Sequence, residues 1–221
     1  MDKQPLWLLL FLSLLLGLMV MSEVLHKHFR WPAERSRKFI HVSGGLLCLL
    51  FPAIFTSHWW VLALAFIAFL LLLVTYVKKM LPSVHETKRY SLGSVLFPVP
   101  VYVCFLMAEM NHNDLYFYLP VSLLAISDTA AEIGGHTQWG QQGKQFFKGQ
   151  KTLAGSVYFF ITALLANAGW LFIGYHLPID NMLKIGLLIS LFATIAELVT
   201  LHGWDNLTVP AVTLLLLSLL L

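Results

Sequence analysis

Charged residues are scarce in this sequence. Only 11% of its 221 residues are Asp, Glu, Lys or Arg, whereas 58% are hydrophobic. Because soluble globular domains carry roughly 25% charged residues, this composition excludes an ordinary soluble domain. No polar stretch is long enough to bury a core of its own, so we expect a single membrane-embedded domain over residues 1–221. The composition predicts an all-α, polytopic integral membrane protein.

Cysteine is equally rare, and the familiar soluble nucleotide-binding motifs are absent. Cys48 and Cys104 lie within apolar segments, without a CxxC pair or an adjacent histidine. Buried, inert thiols are therefore expected rather than a disulfide or a zinc site. The glycines at 134–149 match neither a Walker A loop nor a GxGxxG motif. The tryptophans mostly lie near the ends of apolar runs, which favours an interfacial belt over base stacking, and no nucleic-acid partner is expected.

The hydrophobic residues are concentrated in runs that are long enough to cross a bilayer. At about 20 residues per crossing, they predict seven or eight transmembrane helices. The runs cover residues 6–24, 39–55, 59–77, 95–107, 115–133, 153–175, 183–201 and 207–221. The first run resembles a signal peptide, but its length and the lack of a small-residue cleavage site favour a retained helix.

The basic residues fall in alternate connections between these runs. Twelve of the 14 Lys and Arg residues lie there: Lys27, Arg30, Arg35, Arg37 and Lys38, then Lys78, Lys79, Lys88 and Arg89, and then Lys144, Lys148 and Lys151. The other connections contain none, except for Lys184 at the edge of one of them. By the positive-inside rule, these three connections are cytoplasmic and the N-terminus is outside. We therefore expect a protein of the cell inner membrane, or an equivalent membrane, with its polar site on the cytoplasmic side.

Two carboxylates, Asp128 and Glu132, stand at the end of the fifth run. They are four residues apart, so on a helix they lie on one face, one turn apart. Two like charges near hydrocarbon are costly unless a positive charge lies between them. Since Mg²⁺ binds through one or two carboxylates plus substrate phosphates, this pair predicts a divalent metal site. A carboxylate pair that simply reaches the interface at a helix end is the structural alternative.

The loop after these carboxylates offers groups that bind phosphate. Lys144, Lys148 and Lys151 supply positive charge, and Lys151-Thr152 immediately precedes the sixth run. The start of a helix presents free backbone N–H groups to an anion. Together, the carboxylates and this loop predict a metal and nucleotide-phosphate site at a membrane surface.

Further polar residues fall on the same predicted face of the membrane. Arg37 and Lys38 act either as topology anchors or as phosphate ligands. His41 lies a turn inside its apolar run, which favours a role as a general base or as a hydrogen-bond donor to a phosphate. Glu197 is flanked by apolar residues, so we expect it to bind a metal, a cation or a substrate hydroxyl. Asp205-Asn206 forms either a turn with an Asx cap or a part of the site.

Prolines mark the start of the fourth run. Pro98 and Pro100 are expected to kink or shorten that helix, because proline lacks the N–H that a helix interior needs. Such an interruption opens a groove through which lipid can reach the site.

The order of these motifs resembles that of the polyprenol kinase family of membrane enzymes, which includes dolichol kinase, phytol kinase and the CTP-dependent diacylglycerol kinase of yeast. The motifs are RKFIH at 37–41, SLGSVLFP at 91–98, Asp128 with Glu132 and Gly135, KTLAGS at 151–156, Glu197, and DNLTVP at 205–210. The resemblance covers residues 37–210, which would form the catalytic core.

The resemblance implies a kinase that uses CTP and a divalent metal such as Mg²⁺ to phosphorylate a lipid alcohol. By position, the resemblance places the nucleotide and metal contacts on Asp128, Glu132, Lys151 and Thr152, with Asp205 and Asn206 nearby. From the residues themselves, we expect Asp128 and Glu132 to hold the metal. We expect His41 or Glu197 to orient or deprotonate the alcohol, with Asp128 as a third catalytic residue. We expect further nucleotide contacts from Arg37, Lys38, Gly135 and Lys148.

Two alternatives belong to other classes. A phosphatidate cytidylyltransferase shares the motifs around Asp128 and Lys151, but DNLTVP at 205–210 is typical of the kinases. An ion-coupled transporter requires polar residues and irregular helices near the bilayer midplane. Here the polar residues cluster at one surface instead.

Overall fold

The computed structural model describes residues 3–85, 92–147 and 150–221, and most of these residues are helical. The helices are α1 (Gln4–Lys27), α2 (Ala33–Cys48), α3 (Phe51–Ile54), α4 (His58–Val77), α5 (Pro82–His85), α6 (Gly93–Leu96), α7 (Pro98–Asn111), α8 (Leu115–Ser122), α9 (Asp128–His136), α10 (Gln138–Gln142), α11 (Leu153–Ala168), α12 (Ile179–Val199) and α13 (Asp205–Leu220). Two π-helical segments, Leu123–Ser127 and Gly169–Gly174, follow α8 and α11, and strands β1 (Gln145–Phe146) and β2 (Lys151–Thr152) pair as an antiparallel hairpin. The chain is an all-α polytopic membrane protein, as the composition predicts.

Within the described ranges, six helical segments are long and apolar enough to cross a membrane. They are Gln4–Lys27, Ala33–Ile54, His58–Val77, Gly93–Asn111, Leu153–Phe172 and Ile179–Val199. α13 is a shorter apolar helix, and α8, the first π segment and α9 form one continuous helical rod. Large side chains such as Leu9, Phe66 and Leu165 are exposed on the outside of the bundle, as lipid-facing surfaces require.

A break at Phe97 divides the fourth apolar run into α6 and α7, and Pro98 lies in the first turn of α7. Proline is tolerated at that position because the first N–H groups of a helix have no partner within the helix. Phe97 keeps helical dihedral angles, φ −53° and ψ −41°, so α6 and α7 together still form the 19-residue segment Gly93–Asn111. The kink or shortening expected from the prolines stays a prediction, and Phe97 and Pro98 both line an apolar cavity.

A π-helical turn directly precedes Asp128. The Asp128 N–H donates to the carbonyl of Leu123, five residues back, instead of the usual four. Such turns are uncommon and change the rotation of every residue that follows along the helix. This turn therefore sets the face on which the carboxylates of α9 lie.

Close backbone contacts bring α2 and α11 against the rod that contains α9. A Cβ atom on Gly155 would lie 2.8 Å from the carbonyl oxygen of Ala131, and one on Gly134 would lie 2.6 Å from the ring of Tyr158. Gly45 of α2 meets the first π segment in the same way. Because only glycine allows such approaches, these positions fix how near the polar side chains of the three helices come to one another.

Candidate active site

Lys38 of α2 joins both carboxylates of α9. Its Nζ atom lies 2.6 Å from Oδ2 of Asp128 and 3.1 Å from Oε2 of Glu132. Arg37 adds a longer contact of 3.4 Å between Nη2 and the same Glu132 oxygen. Since the Lys38 side chain is only 12% exposed, these ion pairs are shielded from solvent. The positive charge that the carboxylate pair requires is thus supplied within the protein.

Lys151 plays the same part for two other carboxylates. It is the first residue of β2 and forms ion pairs with Glu197 of α12 and Asp205 of α13, the latter at 3.0 Å. Burial alone would lower the pKa of the Lys151 ammonium, but the adjacent carboxylates of Asp205 and Glu197 outweigh burial and raise this pKa above its ordinary value. Lys151 therefore stays protonated and links β2 to α12 and α13.

Three carboxylates converge around this lysine. One oxygen each from Asp128, Glu197 and Asp205 lie within 4.8 Å of one another, the geometry of a group that can hold a metal ion. Glu132, which the sequence pairs with Asp128 as a metal ligand, lies outside this compact group, next to Lys38 and Arg37. A set of oxygen donors suits a hard divalent cation.

These side chains line one polar cavity of about 250 Å³. Ten of the residues that the sequence predicts as site residues contribute to its wall: Arg37, Lys38, Asp128, Glu132, Gly135, Lys151, Thr152, Glu197, Asp205 and Asn206. With Glu34, the described wall carries five carboxylates and three Lys or Arg cations, so its formal charge is −2 with histidine neutral.

Thr152 connects the β-hairpin to α11. Its hydroxyl oxygen accepts a hydrogen bond of 3.0 Å from the N–H of Gly155 and so caps the helix. A Cβ atom on Gly135 would lie 3.3 Å from the same hydroxyl oxygen, which explains why a small residue stands there. The start of α11 is thereby held against α9 at the edge of the polar cavity.

Asn206 anchors the first turn of α13. Its Nδ2 donates a hydrogen bond of 2.7 Å to the carbonyl of Gly93, and the Leu92 N–H donates to the carbonyl of His202 nearby. Asn206 is buried and lines the polar cavity, so it ties α13 to α6 and positions the adjacent Asp205.

His41 lies one turn further along α2, between the carboxylates and the apolar interior. Its Nε2 atom is 2.8 Å from the Leu124 carbonyl oxygen and 3.5 Å from Oδ2 of Asp128. Because a carbonyl oxygen only accepts, Nε2 carries the hydrogen, and Nδ1 is the acceptor nitrogen of the neutral ring. The ring also makes an edge contact with Phe97, with centroids 4.9 Å apart.

A second, apolar cavity of about 270 Å³ adjoins this histidine. α1, α2, α4 and α7 supply most of its wall, including Leu15, Leu71 and Val101. His41 lines this cavity and not the polar one, whereas Arg37 lines both. A charged compartment and a hydrocarbon-like compartment therefore meet at Arg37.

The structure brings the predicted residues together with two exceptions. His41 stands at the junction of the cavities rather than in the polar one. Lys148, predicted as a nucleotide ligand, lies outside the described residues. Sequence reasoning did not select Glu34, Gln150 or His202, which also line the polar cavity and carry no distinctive pattern.

The chain is similar along nearly its whole length to phytol kinase from Synechocystis sp. The two are 24% identical over 216 residues, which cover 93% of this chain and 88% of that relative. No protein-family model matches the chain, and no solved structure matches it.

Proposed function

We propose that this protein is a membrane-embedded kinase that transfers a phosphoryl group from CTP to the hydroxyl of a long-chain lipid alcohol. The junction at Arg37, where a charged cavity and an apolar cavity share one side chain, carries the proposal. A nucleotide needs the first environment and a hydrocarbon chain the second, and the reaction needs both within reach. The similarity to a phytol kinase supports the same chemistry, and the choice of CTP follows the resemblance of the motifs.

The charge of the polar cavity favours a divalent cation. A triphosphate would add negative charge to a wall that is already at −2, which is unfavourable without a counterion. Asp128, Glu197 and Asp205 offer closely spaced oxygen donors, so these residues fit Mg²⁺ and would hold it, with Glu132 adjacent. When bound, the cation would neutralise the charge that develops on the phosphates.

Cations of the wall would bind the phosphates. Lys38, Lys151 and Thr152 at the start of α11 all line the cavity. Arg37 Nε is buried and has no hydrogen-bond partner among the described residues, which leaves one donor for a phosphate or alcohol oxygen. Phosphoryl transfer depends mainly on such positioning and charge neutralisation.

The proposed transfer needs one proton acceptor. The alcohol oxygen forms a bond to the γ-phosphorus while the bond from that phosphorus to the bridging oxygen breaks, and CDP leaves. The alcohol proton passes to Nδ1 of His41, since Nε2 is engaged with Leu124. Glu197, the alternative base, is held by Lys151, which favours its role as a metal ligand.

We place this reaction on the cytoplasmic face, because Arg37, Lys38 and Lys151, which belong to two of the basic connections, line the polar cavity. Sealed vesicles of known orientation test this placement. CTP added outside should support phosphorylation in inside-out vesicles and fail in right-side-out vesicles until they are permeabilised.

A matrix of nucleotides and lipids tests the activity itself. Purified protein should phosphorylate long-chain alcohols with CTP, release CDP, and lose activity when EDTA removes divalent cations. Asp128→Asn should abolish transfer, whereas Asp180→Asn, at the opposite end of α12 from Glu197, should not. Release of pyrophosphate with formation of a CDP-lipid would contradict the proposal, and so would full activity in Asp128→Asn.

A further inference from the structure

The apolar cavity, hereafter the slot, is lined by residues from successive turns of α1, α2 and α4. It lies between the packed pair α1–α2 and the packed pair α4–α7. On α2 its wall extends from Arg37 through Gly44 to Cys48, which corresponds to roughly 16 Å at 1.5 Å per residue. Arg37 and His41 occupy one end, and the remaining wall is mainly aliphatic and aromatic. The slot thus matches an extended amphiphile with one polar end.

Gly44 keeps this slot wide. A Cβ atom added there would meet no atom of the described residues within 4 Å outside its own helix, although Gly44 is buried. The neighbouring Gly45 differs, because a Cβ atom there would collide with Ala125. Helix packing therefore requires glycine at position 45 but not at position 44, where a side chain would project into the cavity.

Two residues that line the slot are also exposed, one on α1 and one on α4. Leu16 of α1 and Ile67 of α4 both line the cavity, and they are 47% and 41% exposed. Other exposed apolar side chains on the same helices, such as Val20 and Phe66, mark these helices as lipid-facing. A hydrocarbon chain can therefore pass from the bilayer into the slot without crossing water.

We propose that this slot binds the hydrocarbon chain of the acceptor alcohol, which enters between α1 and α4 and stops with its hydroxyl at Arg37 and His41. The identity of the ligand rests on the proposed function. A chain in the bilayer is already out of water, so the slot contributes alignment and selection by shape rather than a transfer free energy. Alignment of the hydroxyl against the nucleotide is what the reaction requires.

A photoreactive alcohol tests the slot without any need for turnover. A long-chain primary alcohol with a diazirine at its far end is bound to the purified protein in nanodiscs, irradiated, and mapped by mass spectrometry. We expect labelled peptides from α1, α4 and α7. Gly44→Leu should reduce this labelling at least tenfold.

Gly17→Leu is the matched control. Gly17 lies exposed on α1, also has no atom within 4 Å of an added Cβ, and does not line the slot. This variant should keep wild-type labelling, and thermal unfolding should show that both variants are folded. Gly44→Ala should fall between wild type and Gly44→Leu, which supports the slot even if the leucine variant fails to fold.

The outcomes separate this inference from the proposed function. If the label maps to the outer helix faces, and Gly44→Leu leaves that labelling unchanged, the proposed slot is wrong. An unchanged KM of Gly44→Leu for long-chain alcohols would also contradict it. Labelling that maps to the slot in a wild-type protein unable to transfer phosphate would support the slot and overturn the kinase proposal.

Discussion

The Nζ atom of Lys38 lies 2.6 Å from Oδ2 of Asp128, across the interface between α2 and α9. Lys151, which lines the same cavity, lies 3.0 Å from Oδ2 of Asp205. Each lysine therefore balances carboxylates that belong to other helices. These ion pairs hold the walls of the polar cavity together. The same residues therefore stabilise the packing of the protein and are available to bind a ligand.

Loss of Lys38 should destabilise the protein as well as inactivate it. Lys38→Met leaves Asp128 and Glu132 near hydrocarbon without their shared cation, and breaking a buried pair in this way costs about 3–5 kcal/mol. Thermal unfolding in detergent measures the effect. The double variant Lys38→Met with Asp128→Asn should recover part of the lost stability; equal melting temperatures for wild type and Lys38→Met would contradict the account.

Replacement of His41 should slow the transfer step. If Nδ1 of His41 accepts the alcohol proton, His41→Gln should lower kcat by about 10²–10⁴-fold, with a smaller change in KM for CTP. Steady-state kinetics check this expectation. His112→Asn, an exposed histidine in a left-handed turn that asparagine tolerates, is the control and should retain wild-type kcat. Equal kcat values for the His41 and His112 variants would remove His41 from the chemistry.

A methyl group at position 155 should loosen the contact between α9 and α11. Gly155→Ala places a Cβ atom 2.8 Å from the carbonyl oxygen of Ala131, and overpacking of this kind costs about 1–3 kcal/mol. Gly169→Ala, with no atom within 4 Å, should be neutral or slightly stabilising. Melting temperatures compare the two, and an equally stable Gly155→Ala protein would argue against the close helix approach.

Lys151 should stay charged from pH 7 to pH 10. Its pKa is raised in the folded protein, so its stabilising effect is fully present below its ordinary pKa of about 10.5 and is lost only as pH rises through the folded value. The difference in melting temperature between wild type and Lys151→Met should therefore be constant from pH 7 to pH 10. A difference that shrinks between pH 8 and pH 9 would mean that burial outweighs the carboxylates and lowers the pKa of Lys151 in the folded protein.

The membrane fold and the gathering of polar residues follow from the sequence for a simple reason. Apolar runs fix the approximate crossings, and alternate basic connections bring motifs near residues 37, 128, 151 and 205 to one face. The interruption at Phe97 is equally predictable, because Pro98 and Pro100 restrict the backbone locally. These are properties of single segments, and sequence patterns describe single segments well.

The pairing of charges does not follow from the sequence. Nothing local distinguishes Glu132 from Glu197 as the partner of Asp128 in a compact group of carboxylates, because that choice depends on how α9, α12 and α13 pack. Gly44 and Gly45 are likewise indistinguishable in sequence, although one borders a cavity and the other a backbone. The apolar cavity arises between helix pairs and has no motif of its own.

A structure of the protein with a non-hydrolysable CTP analogue, Mg²⁺ and a long-chain alcohol would test the central claim most directly. The account predicts the triphosphate in the polar cavity and the alcohol in the apolar slot. The hydroxyl should lie about 3–3.5 Å from the γ-phosphorus beside Arg37. A nucleotide bound away from Lys151, or an alcohol that lies only on the outer helix faces, would contradict this expectation.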